Sequence, residues 1–194
     1  MAGGKTGGTT GAEDKRSVGE SYGAETASSG TSSSASIKDR NMMQSLAMAN
    51  LAELSAARVA MSKAQNPQVK EYAQQMINDH TKAMEDLTSL AQSKDITLPA
   101  KPDAQHQSAV ARLEGQSADD FAEEYLEQSG VTDHRNTLRL LVDISKDADD
   151  AQLKRLAEKM IPIVENHLQK GELLAGVKGM SKPRDMQGGA PAAR

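Results

Sequence analysis

The 194-residue chain has 26% charged residues, a net charge of -4, only 2% aromatics and no cysteine. These exclude a basic nucleic-acid-binding stripe, a base-stacking platform, disulfides, thiolate nucleophiles and cysteine metal sites. With no tryptophan and Phe121 as the only phenylalanine, the core must be built of Leu, Met, Ile, Val and Ala, which suits closely packed helices better than sheets.

Residues 1–36 are rich in Gly, Ser and Thr. Such a segment buries too little apolar surface to offset its ordering entropy, so it reads as a disordered tail. Its opening, MAGGKTGGTTGAEDKR, lacks the apolar middle of a secretory signal. No apolar run reaches the length of a transmembrane helix. A cytoplasmic protein and a processed start both fit. GGKTGGTTG lacks the spacing and the strand-to-helix context of a phosphate loop.

From Lys38 the apolar residues recur at spacings of three and four, the helical period. A first helix is predicted from about Lys38 to Ala64, with Met43, Ala47, Asn50, Leu54, Ala57 and Met61 on one stripe. Asn66-Pro67 ends it and starts the next, with Asn as N-cap and Pro at the first helical position. The second helix runs to about Ser93, with Val69, Tyr72, Ala73, Met76, His80, Met84, Leu87 and Ala91 on its stripe. Residues 94–116 carry Pro99, Pro102 and Gly115 and read mainly as a connection, with a helical turn allowed at Ala109 to Leu113. Ser117-Ala118-Asp119-Asp120 resembles a capping box and opens a third helix to about Ser145, with Phe121, Val131, His134, Leu138 and Leu141 inward. Asp147 to Asp150 turns the chain into a fourth helix to about Ala175, with Leu153, Leu156, Met160, Val164, His167 and Leu174 inward. Pro162 is expected to bend it. Residues 177–194 read as a second disordered tail.

The segments QVKEYAQQMI, from Gln68, and QLKRLAEKMI, from Gln152, are near-copies. Each opens the second helix of a predicted hairpin. Two such hairpins make a four-helix bundle, and the long connection can cross it end to end as in ferritin-like folds. The expected domain is therefore an all-α, ferritin-like bundle over residues 37–176.

Three histidines sit on the apolar stripes of three helices: His80, His134 and His167. At about 1.5 Å of rise per residue, they and Glu53 fall near mid-height, spread over about 9 Å, with His167 the poorest match. Two readings follow. In one, the three imidazoles bind a divalent transition metal (zinc, iron, manganese or copper), with Glu53 as a fourth ligand and Asp79, Asp133, Asn50 and Glu165 as supporting groups. In the other, the same residues form a hydrogen-bonded polar core in a structural or interaction module. A di-iron centre lacks its Glu-x-x-His motif, because Ile77, Val131 and Val164 occupy the position three before each histidine. The ladder Met76, His80, Met84 suits copper(I) or plain core filling. No nucleophile–base pair stands out, so the expected protein is not an enzyme. Its polar outer faces allow a monomer or a homo-oligomer.

Asn50 to Glu53, VKEYAQQMINDHTKAMEDL, Asp133-His134 and LKRLAEKMIPIVENHL resemble the bacterial domain-of-unknown-function 4142 family over roughly residues 38–175. The resemblance implies a ferritin-like bundle, with Glu53, Asp79, His80, His134 and His167 as the matching polar residues. It implies an exported, periplasmic or envelope location and no established activity. The chain departs from the family in lacking a visible signal, which leaves the cytoplasm as the alternative. It also has Met42-Met43 where the family carries an aromatic.

Overall fold

A computed structural model describes residues 35–181. The expected N-terminal tail, up to residue 34, and residues 182–194 of the expected C-terminal tail lie outside them. The described residues form α1 (Ile37–Lys63), α2 (Pro67–Gln92), α3 (Ala104–Gly115), α4 (Ala118–Tyr125), a π-helical segment (Leu126–Asp133), α5 (His134–Asp147) and α6 (Ala151–Ser181). No strand occurs among them. The domain is an all-α, ferritin-like bundle of two hairpins: α1 packs against α2, and the α4–π–α5 run packs against α6. No helix among the described residues is long and apolar enough to cross a membrane.

The helix starts follow their capping chemistry. Asn66 accepts from the Gln68 amide at 2.8 Å, and Ser117 from the Asp120 amide at 3.2 Å. The 147–150 turn is tied from both sides. Asp150 caps α6 through the amides of Gln152 and Leu153, and buried Asp39 of α1 accepts from the amides of Asp149 and Asp150. Each bond satisfies a backbone donor that a helix end or turn leaves open.

Three expectations change. The 94–116 connection contains α3, capped by Asp103, which accepts from the His106 amide at 3.0 Å. The third helix is not uniformly α, because residues 126–133 wind as a π-helix. The fourth helix passes Pro162 unbroken and reaches Ser181, beyond the expected boundary. Pro162 lies on the exposed side of α6, where water can satisfy the carbonyl that loses its helical donor.

The apolar interior falls into two clusters. One gathers Met43, Leu46, Leu87, Leu141, Ile144, Leu153, Met160 and Val164. The other gathers Ala57, Val69, Tyr72, Met76, Phe121, Tyr125 and Leu126. The near-copies divide between them: Val69, Tyr72, Ala73 and Met76 enter one cluster, while their counterparts Leu153, Ala157 and Met160 enter the other. The two hairpin turns therefore lie at opposite ends of the bundle. Between the clusters every long helical run contributes buried polar groups: Asn50 and Glu53, His80, Ser129 with His134 and Thr137, and His167.

Candidate metal centre

The polar layer is centred on three imidazoles. Ring centroids lie 5.6 Å apart for His80 and His134, 5.4 Å for His80 and His167, and 5.4 Å for His134 and His167. The rings are nearly equidistant, so His167 is not displaced along the axis as the simple count of helical rise suggests. All three residues are at most 2% exposed.

Each ring has one nitrogen anchored on a fixed acceptor, which sets its tautomer. His134 Nδ1 donates to the carbonyl of Ser129 at 2.5 Å. His167 Nε2 donates to the Asp79 carboxylate at 2.8 Å. His80 Nδ1 meets Asn50 Oδ1 at 2.9 Å, and the Asn50 amide group donates to the Leu46 carbonyl at 3.0 Å, which fixes the Asn50 oxygen as acceptor for the ring N–H. The opposite nitrogens then carry lone pairs: His80 Nε2, His134 Nε2 and His167 Nδ1. These same three atoms are buried without a hydrogen-bonding partner on the protein.

A nitrogen from each of the three rings lies within 4.8 Å of the others. A metal held at ~2.0–2.1 Å by tetrahedral geometry draws such nitrogens to about 3.4 Å apart, an inward movement of about 1 Å or less for each ring. The donor set fits a mononuclear transition-metal ion in both chemistry and tautomer.

The electrostatics suit neutral imidazoles. Burial, then the neighbouring rings of His134 and His167, hold His80 well below its ordinary value. His134 is lowered to about 4, chiefly by burial, against the raising effect of the Ser129 carbonyl. Burial also lowers His167, although its bond to Asp79 opposes the shift. Burial, and then the charge of Asp133, push Glu53 well above the usual carboxylate range.

The residues singled out in the sequence take different places. Asn50 and Asp79 support the rings directly, but Asp79 serves His167 across the helix interface and not its neighbour His80. Glu53 falls outside the cluster of ligand nitrogens. Its Oε1 lies 3.4 Å from His134 Nδ1, the anchored side of the ring, too long for a good hydrogen bond. Asp133 accepts from Gln128 at 2.8 Å and bonds to none of the three rings. Glu165 is exposed on the outer face of α6. Met76 enters one apolar cluster while Met84 packs against the other, so the methionine ladder spans the polar layer as core filling.

Two supporting groups escape a sequence reading. The Ser129 carbonyl acts from within the π segment, five residues before His134. The Tyr72 hydroxyl donates to the backbone carbonyl of His167 at 3.1 Å. A π turn places an extra residue in the winding and often occurs at functional sites. Gly130 inside a helical stripe is its one visible signal.

The family model described as "Domain of unknown function (DUF4142)" matches residues 24–174. No curated protein matches the chain. Among solved structures, the crystal structure of a DUF305 fragment from Deinococcus radiodurans is similar, with a TM-score of 0.65 and 15% identity, covering 75% of this chain and 98% of that one. At that identity the likeness concerns the helical fold alone.

Proposed function

The chain belongs to the DUF4142 family, a domain of unknown function, and from that premise we propose that His80, His134 and His167 hold one divalent transition-metal ion for sequestration, without turnover. The observation that carries this reading is the gathering of three buried rings with a nitrogen from each within 4.8 Å of the others, every ring having one nitrogen anchored and one unpartnered.

The rival reading, a purely hydrogen-bonded core, is less favourable on donor count. Three convergent lone pairs require three donors, and a bridging water supplies two protons. A metal ion satisfies all three at once. With Glu53 outside the donor set, an imidazole-only site favours zinc, copper or iron over manganese, which prefers oxygen ligands. The proposal keeps the periplasmic or envelope location that the family resemblance implies, with the cytoplasm as the alternative.

Thermal melting of the full chain provides the test. Zinc in excess should raise the melting temperature, because it binds the folded state, and a chelator should reverse the rise. The rival core predicts a melting temperature indifferent to both.

A further inference from the structure

Two clefts approach the histidine layer, and their charges differ. The cleft between α2 and α6 has a volume of about 70 Å³, and its lining includes His80 and His167. Lys82 and Lys159 also line it, together with Asp79 and with Asp86, which pairs with both lysines. The other cleft lies among α1, the start of α3, and α5, with a volume of about 250 Å³. Its lining includes Glu53, Asp103, His106 and Asp133, and no lysine or arginine. Charges of both signs balance at the first mouth, whereas the second carries carboxylates with no lysine or arginine, so a cation is drawn to the second.

The second cleft also contains an uncompensated group. Glu53 is 4% exposed, and its Oε1 has no hydrogen-bonding partner. It stands 3.4 Å from His134, so the cleft ends one side chain from the metal centre. Nearer the surface, Asp103 is held by His106, whose Nδ1 lies 2.8 Å from Asp103 Oδ2. Among the described residues the three histidines are the only group of three or more that brings ligand atoms within chelating reach of one another. The cleft's carboxylates therefore do not converge on a bare ion. They fit a hydrated one, since six waters occupy roughly 180 Å³ at ~30 Å³ each.

We infer that this cleft is the uptake site of the metal centre, where Asp103 and Asp133 collect a hydrated divalent cation and Glu53 receives it before the histidines. Waters leave the ion as imidazole nitrogens replace them. The inference rests on the reading of the histidines as a metal site and adds the route by which the ion arrives.

Cobalt(II) chloride is the probe, mixed with the metal-free full chain and followed by its visible absorption. The double variant Asp103→Asn with Asp133→Asn should take up cobalt about tenfold more slowly at low ionic strength. Its final absorbance should match that of the unaltered protein. Added salt should slow the unaltered protein steeply and the variant weakly. Asn at 103 keeps the N-cap of α3, and matching melting curves check the fold. Asp86→Asn, at the other cleft, should load at the normal rate. Normal loading by the double variant, or slowed loading by Asp86→Asn, overturns the route while leaving the histidine site standing. If the unaltered protein binds no cobalt at equilibrium, both the site and the route fall.

Discussion

Gly171 of α6 and Gly130 of the π segment touch backbone to backbone: a Cβ placed on Gly171 would lie 2.3 Å from the Gly130 carbonyl oxygen. Gly171 follows His167 by one helical turn, and Gly130 precedes His134 by the same interval in sequence. The contact therefore sets how closely two of the three rings approach.

Gly171→Ala should force these helices apart. Overpacking of this kind costs ~1–3 kcal/mol, and here the clash is with backbone, which cannot swing aside. Chemical denaturation should register that loss. Metal affinity should fall as well, because the His134 and His167 nitrogens separate. Gly176→Ala is the control, since nothing lies within 4 Å of its added Cβ. It should be neutral or slightly stabilising.

The supports of the rings should separate stability from affinity. Asn50→Leu leaves the buried His80 Nδ1–H without an acceptor and should destabilise the metal-free protein by ~1–3 kcal/mol. Asp79 is partly exposed, so in Asp79→Ala water can take the place of the carboxylate at His167 Nε2–H, and the stability loss should be smaller than in Asn50→Leu. Asp79→Ala should still weaken metal binding about 10–100-fold by freeing the His167 ring. Equal effects of the two substitutions on both quantities would argue against the anchoring described above.

Acid should destabilise the metal-free protein through the histidines. Their folded values are lowered from 6.5, to about 4 for His134. Between those values the unfolded chain binds more protons than the folded one. The histidine contribution is fully present above 6.5 and is lost as pH falls through the window toward 4. Melting temperatures across that range should drop, and a variant with all three histidines changed to leucine should show a flatter profile.

Glu53 should act in the opposite sense. Its folded value is raised, so its contribution is present below 4.5 and is lost as pH rises through the folded value. Glu53→Gln removes that loss. The variant should melt above the unaltered protein at pH 8, with the difference shrinking toward pH 4. A constant difference at both pH values would contradict a buried carboxyl there.

The bundle was legible because Leu, Met, Ala and His keep the helical period in four separate runs, and because Asn66-Pro67 and Ser117 mark helix starts. The buried histidines followed from their places on those stripes. The π segment did not follow, because its extra residue shifts the phase. Val131 and Leu138, expected inward, are only partly buried, whereas Leu126, Ser129 and Thr137 are buried. Helix α3 was obscured by Pro99 and Pro102, although Asp103 was available as its cap. Partners for the rings were harder still to read. A residue adjacent to a histidine points about 100° around the helix, which explains why Asp79 serves a histidine on another helix, and one two positions away points about 200° around, which explains why Glu165 faces solvent.

The most direct test is the metal content of the full chain after loading with zinc and removal of excess by gel filtration. The account predicts about one equivalent per chain, strongly reduced in His80→Ala, His134→Ala and His167→Ala alike. Less than about 0.2 equivalents in the unaltered protein, or equal retention in the three variants, would contradict a metal centre built from these rings.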